Sequence, residues 1–126
     1  MVDLDAEIQA SKEILVRDHS LVSGTVPVAL SKFGSNLPDG IGSARIFTLR
    51  ANTHFKTERH PNSRQRVLSL EGQELDSLPA SGLEKRWATV EPNLWHQPRA
   101  GSRDWVVLTF HEASEQELID EYLERR

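Results

Sequence analysis

The chain has no cysteine. Disulfides, zinc–thiolate centres and a cysteine nucleophile are therefore excluded, and a cytoplasmic location is the expected one. Long apolar runs are missing as well. The longest, Val26-Pro-Val-Ala-Leu30, falls far short of the roughly 20 residues that a bilayer-spanning helix needs, so no membrane partner is expected. Basic clusters are absent. Fifteen Lys and Arg are scattered among 19 Asp and Glu, for a net charge of −4, which gives no surface suited to nucleic acid. The segment Met1-Val-Asp-Leu-Asp-Ala-Glu-Ile8 is acidic and lacks the basic-then-apolar order of a secretion signal. There is no Gly-x-Ser-x-Gly elbow, no phosphate-cradling glycine loop and no His-Glu-x-x-His helix. Gly34, Gly40 and Gly42 do not match a dinucleotide fingerprint. No internal repeat or low-complexity tract interrupts the chain.

What is present fits one ordinary globular domain over residues 1–126. The apolar share is 37% and the charged share 27%. A chain of this size can bury roughly two-thirds of its unfolded surface. Ile8, Ser11 and Leu15 recur at helical spacing, so Asp5 to Val16 is expected to be a helix within an N-terminal arm of about residues 1–18. Ser20 to Ser23 is either loop or short strand. Thr25 to Phe33 reads as a strand, and Pro27 places it at an edge or a beginning. The glycine-rich stretch 34–42 is a turn-rich connection. Further strands are expected at Ser43 to Arg50, Gln65 to Leu70, Lys85 to Val90 and Asp104 to His111. In the last of these, Val106, Leu108 and Phe110 share one face, and Trp105, Val107, Thr109 and His111 share the other. Ser114-Glu-Gln-Glu117 has the capping-box pattern and is followed by Leu118, Ile119, Tyr122 and Leu123. A C-terminal helix over about 114–125 is the expectation. Short strands, frequent turns and no strand–helix alternation favour an all-β sandwich or barrel over about 25–112.

The chemistry concentrates in Glu58-Arg-His60-Pro-Asn-Ser-Arg-Gln65 and in Pro92-Asn-Leu-Trp-His96. Two imidazoles, a carboxylate and a carboxamide are donors that a first-row metal accepts. Alternation puts Glu58 and His60 on one face of the chain, and Gln65, Val67 and Ser69 on one face of a strand. His111, ending the last strand, is a candidate for the mouth of a cavity. Arg64 and Arg66 flank Gln65, and an inward arginine would suit an acidic ligand. Trp95 neighbours His96 and is a candidate ligand contact, whereas Trp87 and Trp105 read as core. His54 is placed in the turn entering the motif, and His19 on the surface.

The central segment resembles the cupin superfamily, small double-stranded β-helix or jelly-roll proteins. Their first motif has two histidines one residue apart, then a glutamate, then a glycine seven residues beyond it. The matching positions are Glu58, His60, Gln65 and Gly72, with Pro61 following the second. Their second motif has a Pro-Gly turn before a histidine, and Pro92-Asn93-Leu-Trp-His96 is similar to it. Asn93 stands in the glycine position, where asparagine tolerates the left-handed conformation. Glu58 replaces a histidine, Gln65 replaces the glutamate, and Ala100 falls where an asparagine is often found. The likeness spans about residues 43–112. It implies a jelly-roll barrel with terminal helices whose metal ligands are Glu58, His60, Gln65 and His96. The resemblance implies a divalent transition ion such as Fe, Mn, Ni or Zn, with Arg64, Trp95 and His111 the candidate ligand contacts read from the residues. Dioxygenase, isomerase or decarboxylase chemistry on a small polar or acidic molecule is then expected, in a homodimer. The alternative is a small-ligand-binding barrel that has lost its metal.

Overall fold

A computed structural model describes residues 2–37, 39–72 and 87–123. The elements in chain order are helix α1 (Asp5–Arg17), β1 (Ser23–Val28), a 3-10 turn (Leu30–Asn36), β2 (Ser43–Leu49), β3 (Glu58–Arg59), β4 (Gln65–Glu71), β5 (Trp87–Val90), β6 (Trp105–His111) and β7 (Glu121–Tyr122). Five strands form one antiparallel sheet in the order β1-β2-β6-β4-β5. Pro27, which has no amide to donate, thus lies on an edge strand, as its chemistry requires. β6 is the central strand and every one of its residues is buried, which explains its nearly unbroken run of β-forming residues.

The two faces of β6 serve different ends. Val106, Leu108 and Phe110 join Leu4, Val28, Phe33, Ala44 and Ile46 in the main core. α1 lies over that core through Ile8 and through Leu4, the residue that precedes its first turn. Leu68 and Leu70, the outward pair of β4, are half-buried and pack against the same cluster. Gly24 allows the helix to come this close. A Cβ at Gly24 would collide with the Ser11 carbonyl oxygen and with the Ile14 side chain. The other face of the sheet carries Trp105, Val107, Thr109 and His111 and looks into a cavity.

A shorter second layer closes that cavity. Residues 52–58 run antiparallel to 96–101, with Glu58 and His96 exchanging two main-chain bonds of 2.8 Å and Phe55 N donating to Pro98 O at 3.0 Å. On its other side the same segment pairs with β7, Glu58 opposite Tyr122 and Arg59 opposite Glu121. Two facing antiparallel layers around an interior cavity make the expected jelly roll. Among the described residues, no helix is long and apolar enough to cross a membrane.

Two local expectations are corrected, and a third is met over the residues described. The strand expected over Thr25 to Phe33 stops at Val28 and gives way to the 3-10 turn, in which Phe33 still reaches the core. Of the strand expected over Lys85 to Val90, residues 87–90 are strand, whereas Lys85, Arg86 and the Trp87 side chain lie outside what the structure describes. The helix expected over 114–125 is not formed in its described part. The capping turn does form, with Glu117 N donating to Ser114 Oγ at 3.3 Å and Leu118 N to Ser114 O at 2.9 Å. The next groups then find partners elsewhere. Asn62 Nδ2 donates to Glu117 O at 2.7 Å, Ile119 N donates to Asn62 Oδ1 at 3.1 Å, and Leu123 N donates to Thr57 O at 2.9 Å. Tertiary partners have outcompeted the i to i+4 pattern. Residues 124 and 125 of that expectation lie outside the described region.

Candidate metal centre

The second motif is built on a tight turn. Asn93 takes a φ of 65°, the left-handed conformation anticipated for an asparagine in a glycine position, and its amide donates to His60 O at 3.2 Å. This turn brings the two motifs together and leaves His96 paired with Glu58. Gly72 closes the first motif at a φ of 93°, where a Cβ would also strike the Asp104 carbonyl. Only glycine meets both conditions.

Glu58, His60 and His96 each direct a donor atom to one place, all within 4.8 Å of one another. His60 is 4% exposed, and the side chains of Glu58 and His96 are 14% and 18% exposed. Each imidazole has its Nδ1 engaged at its back. His96 Nδ1 lies 3.0 Å from Leu94 O, and His60 Nδ1 lies 3.2 Å from Ile119 O. An Nδ1–H that donates to a carbonyl leaves Nε2 with a free lone pair, the arrangement a metal ligand requires. His96 Nε2 is in fact buried without a hydrogen-bond partner, at 3.4 Å from Glu58 Oε1. Gln65 Oε1 is also buried and unpartnered. Two nitrogens, a carboxylate and a neutral oxygen fit a borderline divalent ion.

The cavity, about 600 Å³ in volume, is divided by chemistry. Phe47, Phe55, Val67, Val90, Trp105 and Val107 make an apolar wall, and the donors cluster beside Thr109 and His111. The sheet register explains the division. Thr25, Phe47 and Val107 lie in one row, Arg45, Thr109 and Val67 in the next, and His111, Gln65 and Val90 in the next. His111 is 2% exposed, its ring 5.0 Å from that of His60, and its Nε2 is 3.2 Å from Thr109 Oγ1. Burial, followed by the charges of His60 and Arg45, pushes the His111 pKa down to about 3, so it is neutral near pH 7. His60 moves the other way. Burial alone would lower it, but the Asp120 carboxylate 3.0 Å away, with the Glu58 charge and the Ile119 carbonyl, outweighs that and raises it.

Not every residue singled out in the sequence reaches this cavity. Arg64 is exposed and bridges Glu91 at 3.0 Å and Glu112 at 3.3 Å on the outside. Because alternation points Gln65 inward, the flanking arginines leave the cavity side. Trp95 is 38% exposed and stacks under the Arg59 guanidinium at 4.5 Å, away from the cavity. His54 is exposed in a bridge with Arg99, and His19 lies beside α1.

Two residues of the site were overlooked in the sequence. Arg45 lines the cavity from β2, held by Glu115 at 2.9 Å and by Asp120 at 3.5 Å. Its signal was available, since Arg45 and Phe47 share a face of β2 opposite to that of Ala44 and Ile46. Asp120, whose Oδ1 lies 3.0 Å from His60 Nδ1, carried no signal because a helix was expected there.

No protein-family model matches the chain, and no curated protein matches it. Solved structures do. Salicylate 1,2-dioxygenase from Pseudoaminobacter salicylatoxidans superposes with a TM-score of 0.60 at 14% identity, over 96% of this chain and 36% of that one. CapF, a capsular polysaccharide assembling protein from Staphylococcus aureus, gives 0.56 at 12% identity, over 82% of this chain and 32% of that one. The chain thus spans about a third of the length of these structures. The architecture is a double-stranded β-helix with a group of potential metal ligands between its layers. It is the cupin fold.

Proposed function

We propose that this protein is a metal-binding cupin acting on a small molecule. His60, His96 and Glu58 hold a divalent transition ion, and Gln65 is a weaker fourth ligand. The observation carrying this reading is the shared orientation of the two imidazoles, each tied at Nδ1 to a carbonyl so that Nε2 is left beside Glu58. Bound there, an ion of the Fe, Mn, Ni or Zn type would polarise a carbonyl or enediol oxygen or activate dioxygen, which supports dioxygenase, isomerase or decarboxylase chemistry.

The remaining roles belong to the chain itself. The apolar wall of Phe47, Phe55, Val67 and Val107 excludes water and holds the body of the ligand. Neutral His111, with its Nδ1 buried and unpartnered, supplies a hydrogen bond to a polar group at the inner end. Arg45 adds little net charge, being matched by Glu115 and Asp120. Arg99, on the cavity lining and exposed, is placed to meet an acidic group at the edge. Such a cavity favours a compact molecule with an apolar body and oxygens at one end. Gentisate, held by the salicylate 1,2-dioxygenase, is of that kind.

Elemental analysis of protein purified without chelator or affinity-column metal tests the reading, alongside His60→Ala and His96→Ala. Near one equivalent of transition metal, lost in both variants, is expected. Protein that holds none, and takes none up on reconstitution, would overturn the metal reading in favour of a metal-free ligand-binding barrel.

A further inference from the structure

The two imidazoles of the centre are secured in different ways. His96 Nδ1 uses Leu94 O, two residues earlier in its own turn, so His96 is oriented as soon as that turn forms. His60 has no such local acceptor for its Nδ1 among the described contacts. Its Nδ1 faces Ile119 O at 3.2 Å and Asp120 Oδ1 at 3.0 Å, about sixty residues further along the chain. Both acceptors come from the segment 112–123 that leaves β6 and crosses to β7.

We propose that Asp120 is a positioning residue for His60, and that the C-terminal segment 112–123 completes the metal centre by fixing the proton of His60 on Nδ1. An imidazole nitrogen that faces a carbonyl oxygen and a carboxylate oxygen must be the protonated one, because neither oxygen can donate to it. Nε2 is thereby left as the lone-pair nitrogen. The carboxylate also raises the basicity of the ring as a ligand, as outer partners of metal-bound histidines do.

Asp120 is itself held in place. Arg45 Nη1 lies 3.5 Å from its Oδ1. Asn62, two residues after His60, brackets the approach by bonding Glu117 O at 2.7 Å and Ile119 N at 3.1 Å. A carboxylate serving only as a surface ion pair would not need this. Asp120 Oδ1 is buried, 3.0 Å from His60 Nδ1 and 3.5 Å from Arg45 Nη1, charge contacts without an aligned hydrogen bond, while the Ile119 carbonyl is the hydrogen-bonded acceptor.

The affinity arm of the test rests on the metal reading above, and the proton arm does not. In metal-free protein at about pH 8.5, long-range 15N–1H NMR of labelled histidines should find the His60 proton on Nδ1 in the wild type. Asp120→Ala, which leaves only the Ile119 carbonyl facing Nδ1, should shift the tautomer in part and weaken Mn(II) or Co(II) binding by about 10–100-fold. Asp120→Asn, which keeps an acceptor oxygen, should restore the tautomer and part of the affinity. A wild-type His60 protonated on Nε2 would overturn the proposal without any variant, even if Asp120→Ala failed to fold. An Asp120→Ala protein with an unchanged tautomer and unchanged affinity would overturn it too. A wild type that binds no metal would sink the metal reading alone and leave the NMR result to decide the role of Asp120.

Discussion

Acid should destabilise the metal-free protein through His111, and the size of the effect follows from its burial. The imidazole is held near a pKa of about 3 in the folded chain and returns to its ordinary 6.5 on unfolding. Between those values the unfolded state binds a proton that the folded state refuses, so stability falls as the pH drops from 6.5 towards 3. Integrated from pH 7 to pH 5, the loss is about 2 kcal/mol. A folded pKa one unit higher would hardly change it, because the group would still be neutral at pH 5. His60 works in the opposite direction. Its folded pKa is raised, so its contribution is full below 6.5 and is lost as the pH rises through the folded value. The clean comparison is therefore between the wild type and His111→Gln, in which the His60 contribution largely cancels. Urea unfolding in chelator, at intervals from pH 7.5 to pH 5, should give the variant the shallower decline by about 2 kcal/mol over the range. Parallel curves for the two proteins would refute the reasoning, as would an NMR titration of His111 above pH 5.

Three other outcomes follow from the packing and the surface. Gly24→Ala should cost about 1–3 kcal/mol by urea unfolding, because α1 has to move off β1 to admit the methyl group. Ile46→Ala, at a fully buried position in the main core, should cost about 2–5 kcal/mol in the same assay. Arg64→Ala should leave metal content and thermal midpoint unchanged, since its ion pairs with Glu91 and Glu112 lie on the exposed outside.

The parts of the fold written in short-range pattern were legible. Alternation along Trp105–His111 divided core from cavity correctly, because a central strand offers each residue only two directions. The motif spacing brought Glu58, His60 and His96 together, and the left-handed Asn93 was foreseen from its side chain. Long-range competition was not legible. Ser114-Glu-Gln-Glu117 begins as a helix should, but Asn62 and the backbone at Thr57 capture the groups that would have extended it. The same event hid Asp120, which on a helix would have been one more exposed acid. Arg64 misled for a simpler reason. It adjoins an inward residue in sequence, and adjacency along a strand means the opposite face.

The two walls of the cavity are fastened unequally, and this bears on how the site is entered. The rear wall is a continuous sheet in which β6 is laddered to β2 from Trp105 to His111 and to β4 from Val106 to His111. The front wall, bearing Glu58, His60 and His96, hangs on a two-residue ladder with β7 and a few bonds between 52–58 and 96–101. Local opening should therefore begin at the front, at a free energy well below that of global unfolding. An ion held by Glu58, His60 and His96 would tie both strands of that front together. Amide exchange at Phe55, Glu58 and His96 should slow when metal is added, with little change at Ile46 or Leu108. Occupancy of the centre would then govern both the chemistry and how often the cavity opens to exchange its contents.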